Sequence, residues 1–221
     1  RPARFLNVSQ DGVPDGGAGS TQHFDAGVGT TGDTVVWYNN PSADGVWLTC
    51  SGDGADGATF GDYSAFIGLY TQNDDTGFYA AGTGPANGGL RDHANAFYTS
   101  LWGGQTAPAA QLALYPGQTG VANLGDDGMA WHSVVITKAG DTVQWQMDGI
   151  TICTVTNDPV TLSTNVFVGY QDRFAVTLSD VPEMSFGLVD NVRVETYLSA
   201  PITITRIQVV GGNIEVVFSG P

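Results

Sequence analysis

The chain has 221 residues, 42% of them hydrophobic, and carries 22 Asp and Glu against 7 Lys and Arg, a formal net charge of −15. That length and hydrophobic share suit one large domain with a packed core, or one domain plus a fragment, and exclude a disordered acidic polymer. The charge argues against nucleic acid and anionic membranes as partners, and no apolar run approaches the ~20 residues of a membrane helix.

Nearly all the acid is aspartate, with Glu183, Glu195 and Glu215 the only glutamates and Lys138 the only lysine. Such a surface favours solubility, calcium or salty surroundings, and a plain solvated face is its simplest reading. The 31 glycines, with many Asn, Asp, Ser and Thr, punctuate short runs of Val, Ile, Thr and aromatic residues. Turns and strands are therefore expected, with few helices.

Taken in order, Arg4–Ser9 reads as a strand that runs into the loop Asp11–Gly17. Thr34–Tyr38 and Val46–Cys50 read as a strand pair around a turn-rich link containing Pro41. Ser51–Gly61 is Gly- and Asp-rich loop. Tyr63–Tyr70, Phe78–Ala81 and Phe97–Trp102 read as further strands, with loop at Gly82–Gly89 and a long irregular stretch at Gly103–Gly128. A stretch of that length is uncommon in a compact domain unless it is functional or packed on a sheet.

The clearest pattern begins at Ala130. Three apolar runs, ending at Cys153, are separated by Ala139-Gly140-Asp141 and by Asp148-Gly149. In the middle run Val143, Trp145 and Met147 alternate with Thr142, Gln144 and Gln146, the period of a half-buried strand. Asp-Gly between two such runs is a strong hairpin signal, because a tight primed turn needs positive φ. A three-stranded antiparallel meander follows. Val166–Tyr170 and Met184–Glu195 read as later strands. Beyond the break at Ser199-Ala200-Pro201, Ile202–Val210 and Asn213–Phe218 form a hairpin around Gly211-Gly212.

Two segments carry a family resemblance. Trp131-His132 followed by Val134, Ile136 and Thr137, with the Asp148-Gly149 turn, resembles the central meander of concanavalin A-like, laminin-G-type domains. Phe186-Gly187-Leu188-Val189-Asp190-Asn191-Val192-Arg193-Val194 resembles their last strand, especially in large secreted bacterial proteins of planctomycete and verrucomicrobial type. The match covers roughly residues 130–195 well and the first half in general pattern. It implies an antiparallel two-sheet β-sandwich of jelly-roll type over residues 1–198, extracellular or at the cell surface. It also implies a strand before Arg4, missing here or supplied from elsewhere. With no initiator Met, the chain reads as processed or as a piece of something longer. Residues 199–221 read as the start of a truncated second β module, or as a strand-exchange and assembly element.

Domains of this fold include glucanases, lyases and non-catalytic binding modules, so chemistry has to decide. The glucanase arrangement of two Glu flanking an Asp on one strand is absent, and the three glutamates lie far apart. His23, His93 and His132 stand without lyase-type companions. Ser133 beside His132 is no triad signal, since strand neighbours face opposite ways. An enzyme with an atypical site would need one of those histidines, or Asp190, to act alone. A non-catalytic module is the expectation.

Asp53, Asp56 and Asp62 on one loop, and Asp126-Asp127 on another, are candidate Ca²⁺ ligands, with Asp74-Asp75 a third pair. The same Asp-Gly stretches are good turn chemistry. Tyr98 and Trp102, flanking Ser100 on one predicted strand face, with Tyr38 beside them, make a candidate carbohydrate platform, and the competing reading is core packing. Trp131 and Trp145 read as core. Cys50 and Cys153 are either a disulfide or two buried thiols. The partners expected are glycans or copies of the chain itself.

Overall fold

The computed structural model describes residues 3–7, 22–30, 45–51, 62–67, 77–82, 88–114, 116, 121–156, 164–172, 187–196, 203–210 and 213–219. Twelve strands are found there: β1 (Ala3–Asn7), β2 (Gln22–Thr30), β3 (Val46–Ser51), β4 (Tyr63–Ile67), β5 (Phe78–Tyr79), β6 (His132–Ala139), β7 (Thr142–Met147), β8 (Ile150–Val155), β9 (Asn165–Asp172), β10 (Gly187–Asp190), β11 (Thr203–Val210) and β12 (Asn213–Ser219). They form a six-stranded sheet, β10-β1-β6-β7-β8-β5, a four-stranded sheet, β4-β3-β2-β9, and the two-stranded β11-β12. Every pairing is antiparallel. Among the described residues no helix is long and apolar enough to cross a membrane.

The meander forms as its periodicity dictates. Val143, Trp145 and Met147 of β7 are buried and the residues between them only half so. At the β7–β8 turn, Asp148 and Gly149 take φ of 51° and 79°, the two positive values that a type I′ turn requires. The inward faces of β6, β7 and β8 supply Val134, Val143, Trp145, Met147, Ile152, Cys153 and Val155 to one core. Phe24, Ala26, Val46, Leu48, Cys50, Tyr63 and Ala65 meet them from β2, β3 and β4. The chain is thus an all-β, two-sheet sandwich. Burying several Phe, Trp and Tyr side chains in one layer is its main stabilisation, at about 2–3 kcal/mol for each large apolar side chain removed from water.

On the opposite face of the four-stranded sheet, register aligns Phe66, Trp47, Gly27 and Phe167 in a cross-strand row. Trp47 and Phe66 sit with ring centroids 4.4 Å apart, and the absent side chain at Gly27 leaves the space that the Phe167 ring fills.

Several sequence expectations change. Strand β2 was not anticipated, yet it is β3's partner in place of Thr34–Tyr38, which lies outside the described residues. Phe97–Trp102 is not a strand: Ala96–Thr99 is a helical turn, α1, because Asn95 caps it, its side chain accepting from the Phe97 amide at 2.9 Å. Within the long irregular stretch, Ala109–Leu114 forms helix α2 behind Pro108, a run of good helix formers. The strand expected through Glu195 stops at Asp190, since Asn191 turns to φ 56°. Trp131 is 39% exposed rather than core. It precedes β6 in the alternation that buries His132 and Val134, so it falls on the outer side. The predicted tail hairpin is present as β11–β12.

Candidate metal centre and its surroundings

Three loops meet at the start of β4. The amides of Asp62 and Tyr63 both donate to the Arg91 carbonyl, at 2.9 and 3.1 Å, which fixes Arg91-Asp92-His93 against the strand. Asp62 then closes back: its Oδ2 accepts from the His93 amide at 2.7 Å and lies 2.8 Å from His93 Nδ1. Asp92 Oδ1 and Asp126 Oδ1 each stand 3.7 Å from the same ring nitrogen. His93, Asp62 and Asp126 are buried, and Asp92 is half-buried.

Asp126 reaches His93 because Gly125 allows the third loop to come close. Gly125 has φ of 91°, and a Cβ there would collide with the His93 carbonyl oxygen. Its amide donates to Trp102 O at 2.9 Å and its carbonyl accepts from the Tyr63 hydroxyl at 2.5 Å. No residue with a side chain fits that place.

Asp127 follows, wholly buried, with the Cys50 thiol the one hydrogen-bonding group of another residue against its carboxyl among the described residues. Burial pushes its carboxyl up to about 6. The His132 charge, the nearby Cys50 thiol and its own amide pull it down, while Asp62 pushes it further up. Burial likewise raises the Cys50 thiol and the Tyr63 hydroxyl well above their ordinary values, with Asp127 adding to both. This end of the core therefore holds an excess of carboxylate in a medium that disfavours charge.

A second group lies at the β7–β8 turn. Asp148 Oδ2 is 2.7 Å from His132 Nδ1 and accepts from Trp102 Nε1 at 3.1 Å, and its Oδ1 accepts from the Ser133 amide at 2.8 Å. Partial burial raises the Asp148 carboxyl, but these hydrogen bonds and the His132 charge outweigh it and hold the group below its ordinary range. The Trp102 ring stands edge-on to His132, centroids 5.9 Å apart.

Of the residues singled out from sequence, Asp62 and Asp126 converge at His93, and Asp127 lies in the same buried region. Asp53, Asp56, Tyr38 and the Asp74-Asp75 pair lie outside the described residues. Tyr98 is wholly buried, stacked on Tyr63 at 4.1 Å with its hydroxyl on Leu90 O, so it offers no face to a saccharide. Trp102 keeps part of its surface. Cys50 and Cys153 are buried thiols, not a disulfide. His93 and His132, read as standing alone, both have carboxylate partners. His93, Asp92 and Asp148 were missed as site residues. The Asp92-His93 dipeptide was the one available signal, and nothing in sequence joined it to Asp62 or Asp126.

The Ca²⁺ expected from the aspartate loops is an oxygen-seeking ion that takes six to eight oxygen ligands. The excess of buried carboxylate suits a dication. An imidazole nitrogen at the middle of the group does not suit that one. No known protein family, curated protein or solved structure matches the chain.

Proposed function

We propose that the chain is a non-catalytic extracellular module that binds carbohydrate, or adheres through it, for a larger secreted or surface protein. The observation that carries this reading is Trp102. Its partly exposed indole is held by Asp148 and by the His132 ring perpendicular to it, an immobilised ring beside a carboxylate. Sugar C–H faces stack on such rings while adjacent polar groups take the hydroxyls. The exposed Trp131, next in chain to His132, adds a second indole for the same chemistry. Within this reading the sandwich is a concanavalin A-like jelly roll over residues 1–198, and residues 199–221 belong to a further module or an assembly element. A glycan array with Trp102→Ala as control tests it: binding that falls about tenfold or more, roughly 1.4 kcal/mol or above, supports it. Absence of any bound glycan, or an unchanged Trp102→Ala profile, overturns it.

A second reading, a structural subunit assembled by strand exchange, is favoured by β10. At the edge of its sheet among the described residues, it exposes both Leu188 and Val189, and the chain beyond it exposes Val192 and Val194. An edge strand apolar on both faces is a template for another chain. Ordered filaments or sheets by negative-stain electron microscopy would favour this reading, and dispersed monomers would remove it.

A further inference from the structure

We propose that Asp62, Asp92, His93 and Asp126 form a site for a divalent first-row transition metal of the Mn²⁺ to Zn²⁺ series, bound through one imidazole nitrogen and carboxylate oxygens. The site stands independently of the glycan reading.

One ligand atom from each of Asp62, Asp92 and His93 lies within 4.8 Å of the others. Ligand atoms sharing one such ion sit roughly 3–4.4 Å apart, given metal–ligand bonds of about 2.0–2.2 Å. The group therefore stands close to coordination spacing already. Asp126 Oδ1, from the third loop, faces the same nitrogen. The His93 amide holds Asp62 Oδ2 whether or not a metal is bound, so one carboxylate is oriented in advance. On binding, the ion takes the place of the proton between Nδ1 and Asp62.

A second observation points the same way. Asp127 is wholly buried, the Cys50 thiol is the one hydrogen-bonding group of another residue against its carboxyl among the described residues, and it interacts electrostatically with Asp62. Crowding several carboxylates into a buried region is costly even with imidazoles beside them, and a dication within the group offsets that cost. The mixed donor set selects the ion: imidazole suits Zn²⁺ and its neighbours, carboxylate suits Mn²⁺, and Ca²⁺ and Mg²⁺ prefer oxygen throughout.

The test is isothermal titration of the whole chain, freed of metal by chelator, with Zn²⁺, Mn²⁺ and Ca²⁺ separately. Co²⁺ absorption spectra serve as a second readout of nitrogen ligation. One Zn²⁺ or Mn²⁺ per chain is expected, with Ca²⁺ weaker. His93→Gln should weaken binding by more than the roughly 10–100-fold that loss of an outer partner costs, and should change the Co²⁺ spectrum. If His93→Gln fails to fold, Asp92→Asn takes its place. Asp92 is half-buried and, among the described residues, its side chain otherwise caps the Ala94 amide, so a folded variant with weakened binding is expected. Binding of Ca²⁺ alone, transition-metal binding unaffected by whichever variant folds, or no binding of any ion overturns the proposal.

Discussion

Oδ2 of Asp62 receives both the amide and the ring nitrogen of His93, at 2.7 and 2.8 Å. Two contacts from one residue to one oxygen leave the imidazole almost no rotational freedom, so its position is set by the backbone of the Arg91–His93 segment. That segment is tied in turn to the amides of Asp62 and Tyr63 where β4 begins. The site is thus built on a strand end, although its residues come from loops.

Gly125 is the second support, and replacing it is informative. In Gly125→Ala the new methyl meets the His93 carbonyl at a backbone angle that L-residues rarely adopt. A loss of about 1–3 kcal/mol is expected from the strain alone. Urea unfolding in chelator measures it, and a stability equal to wild type would show that the loop does not pack against His93.

The protonation of Asp127 makes stability depend on pH. Its carboxyl is raised from 3.8 to about 6 in the folded chain, so the folded state holds this proton more tightly than the unfolded one. The contribution is full below about pH 4 and is lost as pH rises through 6. The lost stability is on the order of 3 kcal/mol, at about 1.4 kcal/mol for each pKa unit. Asp148, held low, works in the opposite direction and only in more acid solution. In chelator, Asp127→Asn should lack the decline between pH 4 and 6. Parallel urea midpoints for variant and wild type across that window would sink the assignment.

The cysteines give a simple chemical check. Cys50 lies in β3 and Cys153 in β8, both buried, and burial with Asp127 alongside keeps the Cys50 thiol protonated. A thiol reagent should leave both untouched in the native protein and modify two per chain in guanidinium without reductant. No modification in guanidinium would mean that the two are bridged.

The meander was legible because two local signals agree there: alternation through Thr142–Met147 and a turn that needs Asp148-Gly149. Strand β2 was not, since His23, Asp25, Gly27 and Gly29 interrupt it with residues poor in strand propensity. Its place between β3 and β9 is decided by pairing partners on both sides. Phe97–Trp102 was misread because its aromatics suggested a strand, while the Asn95 cap decided for a helical turn. The metal group joins Asp62, Asp92, His93 and Asp126 from separate loops, and no periodicity records that meeting. Asp127 was visible as an acid, but its burial was not.

The order of strands in the two sheets also sets an order of events in time. The meander can close from neighbouring residues alone. β1 has to wait for β6 and β10, and β2 for β9, all synthesised far later. Closing such long loops slows folding. Meanwhile Phe24, Val46, Leu48 and Tyr63 leave the ribosome well before the strands that cover them. A half-made chain therefore shows water a greasy sheet face, and its survival depends on how long that face stays unengaged by other chains.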